Sequence, residues 1–398
     1  MSSFSPDRLV VALSDIEMGA GGVTDDFPHT GFLAELIDAY GGPRFAQITV
    51  DLVFNGDTFD LLKVPIDGQW PVFITEAVAL KKLDKVIATH PEFFDALKRF
   101  LTTGGAERRV HFIVGNHDQE LLFEAVQRVI ATRIGVDGVN FPGVQLDIGD
   151  ARFEHGSQVD PMFQIDPATP FLQSEAGQIL ALPWGTVAIL EAALPLQPYL
   201  YDMDRLKPRA RVFELVPEVR DLVVGSFWRY WTDSGWREWL GAHPLKRVSW
   251  TMLKEIAYRF GTLNTEVEEG EQYRKLLQED DRLRLIVCGH VHKPSWWTFG
   301  DRKLLYTGCF RDEFAMDRVG NVISALPKCY AEVYLREDRV VRSHLVELDG
   351  PPPAPGHAPT SVFVVLPRIR PLLASSEDTA KMLREAADQV TREAEDQN

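Results

Sequence analysis

The sequence predicts an α/β fold interrupted by a helical insertion. Three observations carry this. β-Branched apolar runs at Arg8–Leu13, Ile48–Phe54 and Val110–Val114 each stop at a polar loop, and helical patterns around Gly31–Tyr40 and Phe93–Leu101 lie between them. That alternation is the one βαβ units produce around a buried sheet. From about Pro161 to Asp281 the texture changes. Pro167, Pro170, Pro183, Pro195, Pro198, Pro208 and Pro217 break this stretch into short helices, and five of the nine Trp fall between Trp228 and Trp250. Strand texture then returns.

Taken in order, Val144–Ile148 and Arg152–His155 flank Gly149-Asp150 and read as a hairpin. After the insertion, Leu283–Cys288, Trp296–Phe299, Lys303–Tyr306, Tyr330–Leu335 and Val340–Leu345 read as strands. Gly350 to Gly356 is a Pro-rich linker. An apolar patch, Val362–Leu373, precedes a charged helix-like tail, Ser376–Gln397. The expected organisation is two halves of one core, residues 1–160 and 282–348, with an insertion or cap at 161–281 and a linker and tail at 349–398.

The 398 residues carry 42 Lys+Arg against 58 Asp+Glu, a net charge of −16. An apolar fraction of 45% and a charged fraction of 25% are those of an ordinary globular chain and exclude wholesale disorder. The acid excess argues against non-specific nucleic-acid binding, which needs Lys and Arg on phosphates. Cys288, Cys309 and Cys329 form no disulfide framework and no CxxC. The first residues lack a signal-peptide pattern, and no stretch reaches about 18 uninterrupted apolar residues. A soluble, cytoplasmic protein is the expectation.

The chemistry gathers where the strands end. Asp15 and Glu17 follow the first strand, Asp57 and Asp60 the second, and Asn116, His117 and Asp118 the third. His155 follows the hairpin, and His290 and His292 follow Leu283–Cys288. Open α/β sheets place ligands at the carboxyl ends of their strands. Glycines adjoin most of these positions, at Gly56, Gly115, Gly156 and Gly289, and leave room for a side chain to reach an ion. Carboxylates, imidazoles and an amide oxygen from five loops make the ligand mix of a two-metal site.

This pattern resembles the calcineurin-like metallophosphoesterases. Their blocks read here as Asp15-Ile16-Glu17, Gly56-Asp57-Thr58-Phe59-Asp60, Gly115-Asn116-His117-Asp118, His155-Gly156 and Gly289-His290-Val291-His292. The resemblance covers about residues 1–157 and 283–345. It implies a four-layer α/β/β/α sandwich and a dinuclear, metal-dependent hydrolase. Asp15 and His292 would hold one ion, Asp57 would bridge both, and Asn116, His155 and His290 would hold the second. His117 would be the general acid or phosphate contact, oriented by Asp118. A metal-bridging hydroxide would attack phosphorus while the ions clamp the phosphoryl oxygens.

One block departs from the pattern. The family has His where this chain has Glu17. As a ligand, a carboxylate adds a negative charge and a harder donor, which favours Mn²⁺ or Mg²⁺ over Zn²⁺, with Fe²⁺ also compatible. The rival reading is that Glu17 does not ligate. Asp60 reads as a group that orients loop backbone or a ligating His. Arg311 and Lys293 are candidates to bind substrate phosphate, with a surface ion pair as the alternative for each.

Among the branches, the Gly-Asp-x-Phe-Asp form and the position of the insertion are similar to UDP-2,3-diacylglucosamine pyrophosphatases. Those usually have Arg where His117 stands and Asp where Ser157 stands. The expected function is hydrolysis of a phosphodiester or pyrophosphate, on a small substrate or a nucleotide-sugar lipid. The alternatives are the DNA-exonuclease branch and a non-catalytic binding protein on the same fold. The pairs Trp228/Trp231 and Trp236/Trp239, spaced i, i+3, read as the insertion's core or as an apolar groove or peripheral membrane contact.

Overall fold

The computed structural model describes residues 6–175, 177–230 and 270–373, with isolated positions 245, 252 and 254. The strands and helices run in the order β1 (Arg8–Leu13), α1 (Thr30–Gly41), β2 (Thr49–Asn55), α2 (Glu76–Thr89), α3 (Pro91–Thr102), β3 (Arg108–Ile113), α4 (Glu124–Ile134), β4 (Val139–Gly143), β5 (Gln145–Ile148) and β6 (Ala151–Glu154). The inserted region contributes β7 (Phe171–Ser174), β8 (Gly177–Leu180), α5 (Trp184–Ala188), α6 (Gln197–Leu200), β9 (Leu206–Lys207), α7 (Arg209–Leu215), α8 (Pro217–Tyr230) and α9 (Gly270–Glu279). Then come β10 (Leu285–Cys288), β11 (Ser295–Phe299), β12 (Arg302–Tyr306), β13 (Phe314–Met316), β14 (Val322–Ala325), β15 (Lys328–Arg336) and β16 (Arg339–Leu348).

Two mixed sheets form the body. One has the order β16-β15-β1-β2-β3-β4, the other β11-β12-β10-β6-β5. Strands β1 to β4 are parallel, as are β6, β10 and β12. The side-chain period of two sorts each strand between layers. In β1, Leu9, Val11 and Leu13 face the helices, while Val10 and Ala12 face the second sheet. In β10, Leu285 and Val287 face inward, while Ile286 and Cys288 meet Tyr273 and Leu277 of α9. Helices, sheet, sheet and helix therefore make four layers. A phenylalanine stack seals the first interface, with Phe54 and Phe112 ring centroids 5.0 Å apart and Phe54 and Phe93 5.2 Å apart.

The chain's own boundaries differ from those expected in two places. α9 lies within the stretch read as insertion, yet it forms the outer layer over the second sheet. Val362, Val365 and Ile369, read as following a linker, are fully buried against Leu206, Val212 and Val219 of the insertion and Phe314 of β13. The sequence placed the first within the helical insertion and the second in an apolar patch; neither reading says what the segment packs against. Trp231, Trp236, Trp239 and Trp250, on which the groove or membrane reading rests, and the tail Ser376–Gln397 lie outside the described residues. No helix among the described residues is long and apolar enough to cross a membrane.

The insertion is bolted to the core by Arg205. Its guanidinium is fully buried and donates to Asp26 Oδ1 (2.6 Å) and to the carbonyls of Val23 (2.9 Å) and Asp25 (3.1 Å). Breaking one side of such a pair leaves a buried charge uncompensated, at about 3–5 kcal/mol. Arg205→Met should lower the urea midpoint accordingly; an unchanged midpoint would refute this role.

Candidate metal centre

The strand ends deliver their polar residues to one floor. The backbone there is strained to do so. Asp15, Glu17, Asp57, His290 and His292 all have φ between 50° and 70°, the left-handed region that side-chain-bearing residues avoid. Five of the eight described non-glycine residues with positive φ are thus in this cluster. Glycine fills the positions where even a Cβ is excluded. At Gly115 it would overlap the Asp57 carboxylate, at Gly289 that of Asp15, and at Gly56 it would lie 2.5 Å from the His155 ring.

Two adjoining donor sets result. Asp15, Glu17 and His292 form one; Asp15, Asp57 and His155 form the other, each with ligand atoms within 4.8 Å of one another. His292 Nε2 lies 3.2 Å from Asp15 Oδ1 and 3.5 Å from Glu17 Oε1. His155 Nε2 lies 3.1 Å from Asp57 Oδ2 and 3.0 Å from Asn116 Oδ1. His155 and His290 meet edge to face at 5.2 Å between centroids, which places the His290 ring beside the second set.

Each imidazole is held by its other nitrogen. His292 Nδ1 donates to Glu313 Oε1 (2.9 Å), His155 Nδ1 to the Asn55 carbonyl (3.1 Å), and His290 Nε2 to Asp160 Oδ2 (3.2 Å). Fixing one ring nitrogen this way aims the other, the arrangement that metal-ligating histidines use. Asn55 also donates its amide to the carbonyls of Glu154 (2.8 Å) and Val287 (3.1 Å) and so ties the two sheets together beneath the site. The residues present fit a pair of divalent cations: hard oxygens, pre-aimed imidazoles and buried carboxylates with no room for a larger side chain.

His117 sits beside both sets. Its backbone N–H donates to Asp57 Oδ1 (2.7 Å) and its Nδ1 to Asp60 Oδ1 (2.9 Å). Asp60 therefore orients the ring. Asp118, expected in that role, instead accepts from the backbone N–H groups of Gly115 (2.7 Å) and Thr58 (2.8 Å) and fixes the loops. A buried carboxylate next to a turn saturates its oxygens with nearby N–H groups, and Asp118 does so. Burial and the charge of Asp57 push its pKa up to about 7.

The two substrate candidates are placed differently from each other. Lys293 is exposed beside His292. Arg311 is 2% exposed, and its guanidinium is engaged by Glu17, Asp26, Asp204 and Glu313. It is the counter-charge of a buried acidic cluster and not a surface group. Glu17 itself is buried. Desolvation would raise its pKa, but Arg311 and Lys63 outweigh this and hold it well below the usual carboxylate range. Lys63, Asp160, Asp204 and Glu313 carried no motif and were not identified from sequence. A Lys three residues after Asp60 was the one available signal.

Burial lowers the pKa of His155, but Asp57 and Asp15 outweigh it and push it up to about 9. The metal-free protein therefore holds a proton there at neutral pH, which an ion must displace. Divalent-ion affinity should rise with pH up to about 9. Calorimetry at pH 7 in buffers of different ionisation enthalpy should show proton release on binding; none would contradict the assignment.

No protein-family model and no curated protein matches the chain. Solved structures similar to it include a dimetal phosphatase from Danio rerio, at 12% identity and a TM-score of 0.34, covering 87% of this chain and 100% of that one. Vps29 complexed with Zn²⁺ from Entamoeba histolytica is 11% identical, with a TM-score of 0.25, over 86% of this chain and 99% of that one. The phosphopantetheinyl hydrolase of Mycobacterium tuberculosis is 15% identical, with a TM-score of 0.24, over 79% and 91%. Similarity this remote leaves the chemistry to the side chains. What they form is a buried floor of two adjoining carboxylate–imidazole sets with a polar imidazole alongside.

Proposed function

We propose that the chain is a metal-dependent phosphoesterase that hydrolyses a phosphodiester or pyrophosphate, with Asp15, Glu17, Asp57 and His292 holding one divalent cation and Asp57, Asn116, His155 and His290 the other. The observation that carries this reading is the pair of donor sets that share Asp15, with three imidazoles each anchored by a second nitrogen. Two such cations, when bound, supply the positive charge that polarises phosphoryl oxygens and activates water.

The chain's own residues do the rest. Desolvation lowers the pKa of His117, but Asp57, Glu17 and Asp60 outweigh it and raise it to about 10. Its ring is thus charged at neutral pH, with Nδ1 held by Asp60 and Nε2 left to donate a proton to a leaving oxygen. Asp57 holds His117 from behind through its backbone N–H. The net charge of −16 is compatible with an anionic substrate because the cations provide the local positive field. Mn²⁺ is the ion we favour, since carboxylate oxygens outnumber soft donors. A small phosphodiester or pyrophosphate is the preferred substrate, and a nucleotide-sugar lipid is the further class that the position of the insertion suggests.

The test is hydrolysis of bis(p-nitrophenyl) phosphate by the full chain with Mn²⁺, Mg²⁺, Fe²⁺ or Zn²⁺ after chelation, followed by nucleotides and UDP-sugar lipids. Turnover restored by a divalent ion supports the proposal. No turnover with any ion or substrate class would favour the binding-protein alternative.

A further inference from the structure

The charge that Glu17 brings to the floor is held on one side only. Its Oε2 accepts from Lys63 Nζ and from Arg311 Nη1, both at 2.9 Å. Its Oε1 is the oxygen 3.5 Å from His292 Nε2. Both cations are themselves locked. Lys63 pairs with Asp26 and, at 3.0 Å, with Asp60 Oδ2. Arg311 bonds Asp204 (3.1 Å) and reaches Glu313 Oε1 through Nε (3.2 Å) and Nη2 (3.1 Å). Glu313 Oε1 is the atom that receives His292 Nδ1. One buried guanidinium therefore braces two donors of the same set, Glu17 directly and His292 through Glu313.

We propose that Lys63 and Arg311 are positioning residues that clamp Glu17 as a one-oxygen ligand and so make this ion position discriminate against Ca²⁺. The proposal rests on the reading of the floor as a divalent-cation centre. A carboxylate with both oxygens open can chelate through both, which suits Ca²⁺ with its six to eight oxygen ligands at about 2.3–2.6 Å. Smaller ions take fewer ligands at shorter range. With Oε2 occupied by two buried donors, Glu17 offers a single oxygen, and the extra charge it carries relative to an imidazole is offset from behind. Selectivity then comes from denying the larger ion the second oxygen. Removing one clamp cation leaves Oε2 with a single donor and so loosens the hold on that oxygen, which moves the preference toward Ca²⁺.

The experiment titrates the metal-free full chain with Mn²⁺ and with Ca²⁺ by calorimetry, the position in question being the one lost in His292→Ala. In wild type the Kd for Ca²⁺ should exceed that for Mn²⁺. In Arg311→Met that ratio should fall at least about tenfold, and in Arg311→Lys it should return toward wild type. Lys63→Met, nearer to solvent, gives the same reading should Arg311→Met not fold. Adding Arg311→Met to Glu17→Gln should change the ratio no further, because the amide offers no second anionic oxygen. An unchanged ratio in the clamp variants, or loss of the ion altogether from a folded variant, would overturn the clamp. A wild-type chain that binds no divalent ion would instead overturn the proposed function.

Discussion

Asp57→Asn should abolish divalent-metal-dependent phosphodiester hydrolysis while leaving the fold in place. Asp57 belongs to the second donor set with the Asp15 that both sets share; it lies 3.1 Å from His155 Nε2, and its other oxygen receives the His117 N–H at 2.7 Å. Burial would raise its pKa, but the charges of His155 and His117 outweigh this and hold it well below the ordinary range, so it is ionised at any working pH. The amide is nearly isosteric and keeps an acceptor for His117, so packing should survive. What it lacks is the charge that a shared ligand supplies. A loss of at least about 10³-fold in kcat/KM corresponds to about 4 kcal/mol of transition-state stabilisation. Activity within about tenfold of wild type in a folded Asp57→Asn protein would sink the two-ion account.

The second large effect is at His117, and it should depend on the leaving group. His117→Ala should slow hydrolysis of an ester with a poor alkyl leaving group by about 10²–10⁴-fold, the usual worth of a positioned general acid. A good aryl leaving group needs no proton and should lose far less. Equal losses on both would mean that His117 binds phosphate and donates no proton. The pH profile gives an independent reading. Asp60 is one of the charges that raise the His117 pKa to about 10, against the lowering effect of burial. A general acid works below its pKa, so activity falls as pH rises through that value. Asp60→Asn lowers the pKa and should move the alkaline limb of the profile to lower pH. A limb that stays in place, or moves up, would contradict the Asp60–His117 pairing.

The sequence and the structure agree where chemistry is local. The strand ends, with their Asp, Asn and His beside glycine, were legible because a donor residue needs a turn next to it, and both are written within five residues. The buried sheet was legible from the apolar runs between polar loops, and the four layers from what the family resemblance implied. Three things were not. Asp60, not Asp118, orients His117: Asp118 is its neighbour in sequence and Asp60 comes from the loop after β2, and only the fold decides which reaches the ring. Arg311 is buried beneath Glu17, because its carboxylate partners come from positions as distant as Asp26 and Asp204. Asp160 and Glu313 hold His290 and His292 across 130 and 21 residues, with no pattern in the chain to announce them. Residues whose donor atoms meet on the floor are set by local motif; residues that hold those residues are set by packing.

The account's central claim is that one floor holds two divalent cations through Asp57. Equilibrium dialysis of the full chain against Mn²⁺, with metal counted by mass spectrometry, tests it most directly. Two ions per chain in wild type and no more than one in folded Asp57→Asn is the predicted result. No bound ion in wild type, or two in Asp57→Asn at unchanged affinity, would contradict it.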